Sequence, residues 1–316
     1  MAASLDVSGS QCALGEADGS MSPSTPPVTV SIVMAAYNAA STIKESIRSV
    51  LAQSFTDWEL IVVDDGSTDG TGEIAEEFGD SRIRLITISR SGVVGARNLG
   101  ISLSRAPLIA ILDSDDLMTP QRLRLQIEVA RLRPDVGVHA GWFRDLETSK
   151  LGVSPLSGPA IKKFLQHGSS VCHSTVMFNT SALTYLPQYP QGLEVEGGEI
   201  AGAEDYALLW NLAQSGGRFL TLPVVLCRYR APTSLEVTQR RRELARAHRQ
   251  RAFDDSKRGP TSLPVGCVVA KDWHPQRRRA TFQKVAVAVM HTRHEIGALS
   301  VAARVMHRGV SNLPRT

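Results

Sequence analysis

Hydrophobic positions in the first half of the chain follow two alternating patterns. Short runs rich in aliphatic and β-branched residues predict strands that are buried on both faces; they span residues 28–34, 58–63, 83–88, 108–112 and 136–142. The segments between these runs carry apolar residues at helical spacing; they span residues 39–53, 69–78, 93–104 and 119–132. Strands that alternate with helices of this length indicate right-handed βαβ units and a mostly parallel central sheet flanked by helices. The predicted fold class is therefore α/β and Rossmann-like.

The second half of the chain is less regular and predicts a different organisation. The patterns indicate helices, a strand and an extended stretch with one or two strands around Pro223; they span residues 161–166, 203–214, 174–178 and 219–229. A strongly basic helix is predicted for residues 235–253 and a last helical stretch for residues 276–306. Ser41 is the expected N-cap of the first helix. The predicted domains are a disordered tail (1–27), an α/β domain (28–230) and a basic helical extension (231–316).

Composition and charge narrow the class of protein. Hydrophobic residues make up 42% of the chain, which is enough for a sizeable core. The four cysteines are far apart in sequence and form no C-x-x-C pair, so neither a disulfide framework nor a structural zinc site is expected. The first 27 residues lack the pattern of a secretory signal, and no run of about 18 apolar residues predicts a membrane span. A cytoplasmic protein is the resulting expectation.

Charge is distributed unevenly along the chain. Residues 231–316 contain 17 Lys and Arg against 6 Asp and Glu, whereas residues 1–230 contain 18 against 25. Most such runs are solvated faces, but a basic helical region also suits peripheral contact with an anionic membrane, here the inner face. Nucleic acid is not expected as a partner, because no aromatic residues are interleaved with the basic ones.

Three polar clusters follow predicted strands directly. They are Ala36-Tyr37-Asn38, Asp64-Asp65-Gly66-Ser67 and Asp113-Ser114-Asp115-Asp116. In open α/β sheets the carboxyl ends of the strands meet at one edge, where ligands bind at a topological switch point. Helix capping explains one carboxylate in each loop, but five carboxylates at one edge would repel each other without a cation. Mg²⁺ or Mn²⁺, held partly by substrate phosphates, is the expected partner. No calcium EF-hand, dinucleotide-binding or P-loop motif is present.

Five segments, taken in order, resemble the inverting family 2 glycosyltransferases of the GT-A fold. They are VSIVMAAYN, ELIVVDDGSTDGT, GARNLGI, LDSDD and AEDYALLWNLAQSG. The resemblance covers about residues 28–230. It implies a nucleotide-sugar-binding half (28–118) and an acceptor-side half (119–230). One departure from the family pattern is Ala35, at the end of the first strand, where the family often has proline.

The resemblance also implies roles for individual residues. Tyr37 would lie against the nucleotide base, the Asp64 and Asp65 pair against base and ribose, and Arg97 near base and diphosphate. The full set implied for the nucleotide-diphosphate sugar is Tyr37, Asn38, Asp64, Asp65, Arg97, Asp113 and Ser114. Asp113 and Asp115 form the D-x-D signature, in which Asp115 would hold the metal on the diphosphate.

Catalysis would then lie in the second half of the domain. Asp205, beside Glu204, matches the catalytic base that takes the proton of an acceptor hydroxyl. Arg228-Tyr229-Arg230 resembles a segment that often follows, with diphosphate or acceptor contact as the expected role. His173 could face the acceptor, although a lone histidine is more often structural.

The implied function is transfer of a sugar, from a UDP-sugar by default, to an acceptor hydroxyl in cell-surface glycan synthesis. The acceptor would be a glycan, a lipid-linked sugar or another hydroxyl compound. Two alternatives stay open: a catalytically silent module that binds nucleotide sugars or glycans, and a nucleotidyltransferase. The second ranks lower because the loop after the first strand lacks the glycine-rich sequence of those enzymes.

Overall fold

The computed structural model describes residues 28–156, 158–165, 171–190 and 204–231. The predicted tail (1–27) and all but the first residue of the predicted extension (231–316) lie outside these ranges. The two predicted basic helices lie there too, so they and the predicted domain boundaries stay predictions. No helix in the described ranges is long and apolar enough to cross a bilayer.

The described residues form a single nine-stranded sheet with helices on both faces. The strands are β1 (Val30–Ala36), β2 (Trp58–Asp64), β3 (Ile83–Thr87), β4 (Leu108–Ile111), β5 (Leu117–Met118), β6 (Val138–Asp145), β7 (Leu151–Gly152), β8 (Met177–Asn179) and β9 (Phe219–Tyr229). The helices are α1 (Ile43–Leu51), α2 (Thr71–Glu76), α3 (Gly92–Ser102), α4 (Arg122–Leu132), α5 (Gly158–Leu165) and α6 (Glu204–Gln214). Two 3-10 turns, His173–Thr175 and Thr180–Ala182, flank β8.

The strand order is β3-β2-β1-β4-β8-β6-β9-β5, with β7 paired to β6. The ladders β3-β2, β2-β1, β1-β4 and β6-β9 are parallel. Only β8, β5 and β7 run against the other described strands, since each pairs antiparallel with its neighbours. The predicted mostly parallel α/β sheet is therefore confirmed. The chain winds outward from β1 to β3 and then returns to β4 on the other side, so the switch point lies between β1 and β4.

Two local predictions were wrong in detail. Residues 174–178 do not form one strand: Thr175 bonds back to the carbonyl of Cys172 through its N–H (3.0 Å) and its Oγ1 (2.7 Å), which closes a 3-10 turn before β8. Ser41 is not the N-cap, because α1 begins after Thr42, which makes no side-chain cap bond. Residues 219–229, for which one or two strands were predicted, form one strand, with two register shifts against β6 near Pro223.

Packing on both faces explains why β1 and β2 read as continuous apolar runs. On one face Ile32 and Met34 pack with Ile43 and Ile47 of α1. On the other face α3 crosses β1 so closely that a Cβ on Gly100 would stand 2.4 Å from Cγ1 of Val33. A glycine is therefore required for this approach, which brings α3 down onto the sheet.

The amino-terminal end of the sheet is held by a buried carboxylate, Glu59. Its Oε1 accepts hydrogen bonds from Ser31 Oγ (2.6 Å) and Arg105 N (2.9 Å). Its Oε2 accepts from Arg84 Nη1 (2.9 Å) and Arg105 Nε (2.8 Å). Burial alone would raise the pKa of Glu59, but these donors together lower it below the ordinary 4.5. Glu59 thus ties β1, β2, β3 and the segment before β4 together.

Replacing Glu59 with alanine should lower the free energy of unfolding by about 3 kcal/mol at pH 7, because buried donors lose their acceptor. Since the folded-state pKa of Glu59 is depressed, its contribution is complete above about pH 4.5 and is lost as the pH falls further. Urea denaturation at pH 7 and pH 3 measures both effects. Glu147→Ala, which removes an exposed carboxylate, is the control. An equal loss for the two variants would contradict the assignment.

Candidate functional site

The loops after β1 and β2 are bonded to each other at the carboxyl edge of the sheet. Asp65 N donates to Ala36 O (2.8 Å), and Asn38 N donates to Ser67 Oγ (3.0 Å). Asn38 adopts a left-handed conformation, with φ of 47°, and its Oδ1 accepts from Thr68 N (3.0 Å). The second loop therefore fixes the turn of the first. Asn38 has a structural role here, because it bonds to both Ser67 and Thr68.

The paired carboxylates after β2 each use one oxygen inside the protein. Asp64 Oδ1 accepts from the backbone N–H (3.1 Å) and the hydroxyl of Ser67. Asp65 Oδ1 accepts from the N–H (2.6 Å) and Oγ (3.0 Å) of Ser91 at the start of α3. Asp65 Oδ2 is buried and accepts no hydrogen bond within the described chain; its nearest cation is Arg90 Nη1, at 3.6 Å.

A buried arginine, Arg97, joins the loop after β4 to the start of α6. Arg97 Nη2 donates to Asp113 Oδ1 at 2.6 Å, and Nη1 donates to Glu204 Oε1 at 2.7 Å. Burial alone would lower the pKa of Arg97, but the two carboxylates hold it well above its ordinary value. Arg97 in turn holds the pKa of Asp113 below its ordinary value, despite burial. Residues 97, 113 and 204, from three separate segments, therefore form one charged unit.

The ring of Tyr189 lies beside the guanidinium of Arg97. The guanidinium carbon lies 5.4 Å from the Tyr189 ring centroid, and Asn98 exchanges two hydrogen bonds with the Tyr189 backbone, of 2.7 and 2.9 Å. His173 is buried and its Nε2 meets the Tyr189 hydroxyl. Burial and the nearby Arg97 lower the pKa of His173 to about 4, so it is neutral at pH 7. Its burial and its bond to Tyr189 agree with the structural role that a lone histidine more often has.

Asp205 lies in the first turn of α6 next to this unit. Its Oδ1 accepts from Tyr206 N at 2.6 Å. Burial and the neighbouring charge of Glu204 raise the pKa of Asp205 to about 7. A carboxyl group that titrates near neutral pH can accept a proton from a hydroxyl compound more effectively than an ordinary aspartate.

The loop after β4 carries the D-x-D residues and is clamped by Arg230. Arg230 N donates to Asp116 Oδ1 (2.7 Å), its Nε donates to the carbonyl of Asp115 (3.1 Å), and its Nη2 donates to Glu45 Oε2 (3.0 Å). Ser114 is tied to α1, because its carbonyl accepts from Ser46 Oγ at 2.9 Å. Diphosphate or acceptor contact by Arg230 stays a prediction; its bonds to this loop are a structural role that the sequence did not indicate.

The same loop fits a hard divalent cation. Asp116 is fully buried, and its pKa is raised to about 8 by burial and by the nearby carboxylates of Asp113 and Asp115. A bound cation would offset this crowding of negative charge. Asp113 is engaged by Arg97. Asp115 is half-exposed on the same loop, where a cation held mainly by diphosphate oxygens could reach its carboxylate.

Two cysteines that are distant in sequence meet below this loop. The sulfurs of Cys172 and Cys227 and a carboxylate oxygen of Asp116 lie within 4.8 Å of one another, and both cysteines are free. Their separation in sequence gave no sign of this proximity. The buried guanidinium of Arg122, whose pKa burial lowers to about 10, interacts with both sulfurs and opposes a further cation there.

The curled, mostly parallel sheet flanked by helices is that of an α/β protein of the GT-A fold, and it carries acidic loops at its switch point. Residues 31–182 match the family model described as "Glycosyl transferase family 2". This match covers just under half of the chain and agrees with the resemblance carried by the sequence motifs.

Part of the chain is similar in sequence to known glycosyltransferases. The chain is 46% identical over 101 residues to the Escherichia coli β-1,3-glucosyltransferase WfgD, which covers 32% of this chain and 40% of that protein. It is 29% identical over 206 residues to a Bacillus subtilis protein named for teichuronic acid biosynthesis, TuaG, which covers 64% of this chain and 78% of the relative. The match thus spans well under two thirds of WfgD.

Solved structures show the same fold. Staphylococcus aureus TarS in complex with UDP aligns with a TM-score of 0.53 at 19% identity, over 69% of this chain and 65% of that one. The Pyrobaculum calidifontis mannosyltransferase PcManGT, in complex with GDP-Man and Mn²⁺, aligns with a TM-score of 0.53 at 20% identity, over 90% and 76%.

Removing the buried guanidinium of Arg97 should destabilise the folded protein. Arg97→Ala should lower the free energy of unfolding by about 3 kcal/mol or more, because Glu204 is left buried without its counter-charge. Adding Glu204→Gln to Arg97→Ala should recover part of that loss, since the uncompensated charge is gone. Urea denaturation of the single and double variants at pH 7 measures this. Strictly additive losses would contradict a direct coupling of the two side chains.

Proposed function

We propose that this protein is an inverting glycosyltransferase that moves a sugar from a nucleotide-diphosphate donor to an acceptor hydroxyl. The observation that carries the proposal is the bridge made by Arg97. It links Asp113 of the D-x-D loop to Glu204, whose neighbour Asp205 has a pKa near neutrality. One buried side chain thus holds the acids of the donor side at a fixed position relative to the base.

The proposed roles follow from this geometry. Asp205 takes the proton of the acceptor hydroxyl while that oxygen attacks the anomeric carbon from the face opposite the diphosphate. Glu204 is a positioning residue: it is bonded to Arg97 and its charge raises the pKa of Asp205. Asp115 would hold Mn²⁺ or Mg²⁺, which neutralises charge on the leaving diphosphate when bound. Single displacement inverts the configuration of the sugar.

The names of the relatives support a donor and an acceptor class. WfgD is named as a transferase of glucose from UDP-Glc to GlcNAc-diphosphoundecaprenol, and PcManGT is solved with GDP-Man and Mn²⁺. We infer a UDP-sugar donor by default and a glycan or lipid-linked acceptor in cell-surface polysaccharide synthesis. A cytoplasmic location with peripheral contact at an anionic membrane, through basic residues 231–316, accompanies this proposal.

Donor binding can be tested by thermal shift with nucleoside diphosphates, with and without Mn²⁺. A ligand present at 100 times its Kd stabilises the folded state by about 2.7 kcal/mol, which raises Tm. The shift should need Mn²⁺ in the wild type and lose that dependence in Asp115→Ala. Asp57→Ala, an exposed aspartate ahead of β2, is the control and should behave as wild type. No shift with any nucleotide would sink the proposed donor site.

The pH dependence of turnover tests the proposed base. The base must be deprotonated to act, so kcat/KM should rise with pH through about 7 and level off above it. Glu204→Gln should move this rise to lower pH, because a negative charge that raises the pKa of Asp205 is removed. Asp205→Asn should retain donor binding but lower kcat by about 10²–10⁴-fold. Retained turnover in Asp205→Asn would refute the base role, and donor binding without turnover in the wild type would favour a binding module.

A further inference from the structure

Two cysteine side chains, Cys172 and Cys227, lie side by side below the D-x-D loop. Their sulfurs and a carboxylate oxygen of Asp116 are all within 4.8 Å of one another, and both thiols are free. Cys172 stands directly before the 3-10 turn that begins at His173, whereas Cys227 belongs to β9. A disulfide between them needs the sulfurs to approach to about 2 Å, which is a short movement from this starting point.

The two thiols differ in their access to solvent. Cys172 is partly exposed, whereas Cys227 is fully buried. Burial and the adjacent Cys172 thiol raise the pKa of Cys227 well above its ordinary value. A reagent that arrives from solvent therefore meets Cys172 first. Cys227 is placed to attack whatever Cys172 has bound, which is the division of roles that a redox pair needs.

A buried guanidinium favours thiol chemistry over metal binding at this pair. Arg122 Nη2 donates to the carbonyls of Ile111 and Val176, each at 3.0 Å, so the group is held in place. Its Nη1 donates no hydrogen bond within the described residues, and its charge interacts with both sulfurs. A fixed cation repels a metal ion, but it stabilises a thiolate, which is the form of cysteine that attacks a disulfide.

Cys227 is connected to the D-x-D loop through the backbone. It pairs with Met118 of β5, the short strand that follows the loop. Directly after β9, Arg230 N donates to Asp116 Oδ1 at 2.7 Å. Since a disulfide requires the two sulfurs to approach each other, its formation pulls on this end of β9. The pairing with β5 and the bond from residue 230 transmit that movement to the loop.

We propose that Cys172 and Cys227 are a redox-sensitive pair whose oxidation to a disulfide displaces the D-x-D loop and weakens metal-dependent donor binding. The oxidant is a low-molecular-weight disulfide. The thiolate of Cys172 attacks one of its sulfurs and releases one small thiol; the sulfur of Cys227 then attacks that of Cys172 and releases the second. The protein thiols lose two electrons and two protons, which the small disulfide gains. The effect on binding rests on the proposed donor site, whereas formation of the disulfide does not.

Peptide mapping tests whether the disulfide forms. Trypsin places the two cysteines in different peptides, 164–218 and 219–228, each of which contains one cysteine. The folded full chain is incubated with oxidised glutathione, its remaining thiols are alkylated, and it is digested without reductant. Mass spectrometry should then find the two peptides joined, with a mass lower by two hydrogen atoms than their sum. Dithiothreitol should separate them.

The other two cysteines of the chain, Cys12 and Cys267, provide the matched control. The joined peptides should form in the Cys12→Ser/Cys267→Ser double variant as they do in the wild type. Cys172→Ser, which replaces the partly exposed member of the pair, should prevent their formation. Absence of the joined peptides from the wild type and from the double variant would overturn the inference.

Calorimetric titration of UDP and GDP with Mn²⁺ measures the consequence. In the Cys12→Ser/Cys267→Ser variant, oxidation should raise the Kd of the nucleotide that binds by about fivefold or more, and reduction should restore it. Cys172→Ser should bind equally before and after the same treatment. An unchanged Kd in a protein whose joined peptides are present would overturn the coupling to the loop and leave the proposed function standing. If neither nucleotide binds the reduced protein, the proposed donor site and the coupling both fail.

Discussion

The buried guanidinium of Arg97 is the interaction on which the site depends. Two carboxylates, Asp113 and Glu204, come from segments about ninety residues apart and would repel each other at this distance without it. With it, the loop after β4 and the first turn of α6 are fixed relative to each other. The raised pKa of Asp205 is a further result of this arrangement, because burial and the neighbouring Glu204 both raise it.

The position of Arg97 is itself set by the packing of α3. Gly100, one turn further along the helix, allows the close contact with Val33 of β1. Arg97 therefore projects from a helix that lies directly on the sheet, near the switch point between β1 and β4. The geometry of the charged unit follows from a steric fit in the apolar core, so core packing and site chemistry are not independent in this protein.

The sequence predicted what depends on local pattern. Residue periodicity predicted the strands β1 to β4, their intervening helices and the convergence of the three acidic or polar loops, because each follows from burial of neighbouring positions. Contacts between distant segments were not predictable in this way. The stacking of Arg90 on Tyr37, the proximity of Cys172 to Cys227 and the clamp by Arg230 join loops whose separation carries no periodic signal. The turn at residue 175 was missed because the two bonds from Thr175 to the carbonyl of Cys172 that close it leave no mark on the hydrophobic pattern.

The antiparallel strand β8 has a consequence for how such proteins diversify. It joins β4 through three paired residues and β6 through two, so few backbone bonds connect the half of the sheet with the donor loops to the half with β6 and β9. The seam is filled mainly by side chains, such as the fully buried Phe178. Side-chain packing tolerates compensating substitutions more readily than a ladder of hydrogen bonds. Substitutions at this seam can therefore be compensated locally, whereas Arg97 and Glu204, which form an ion pair between the two halves, have to change together.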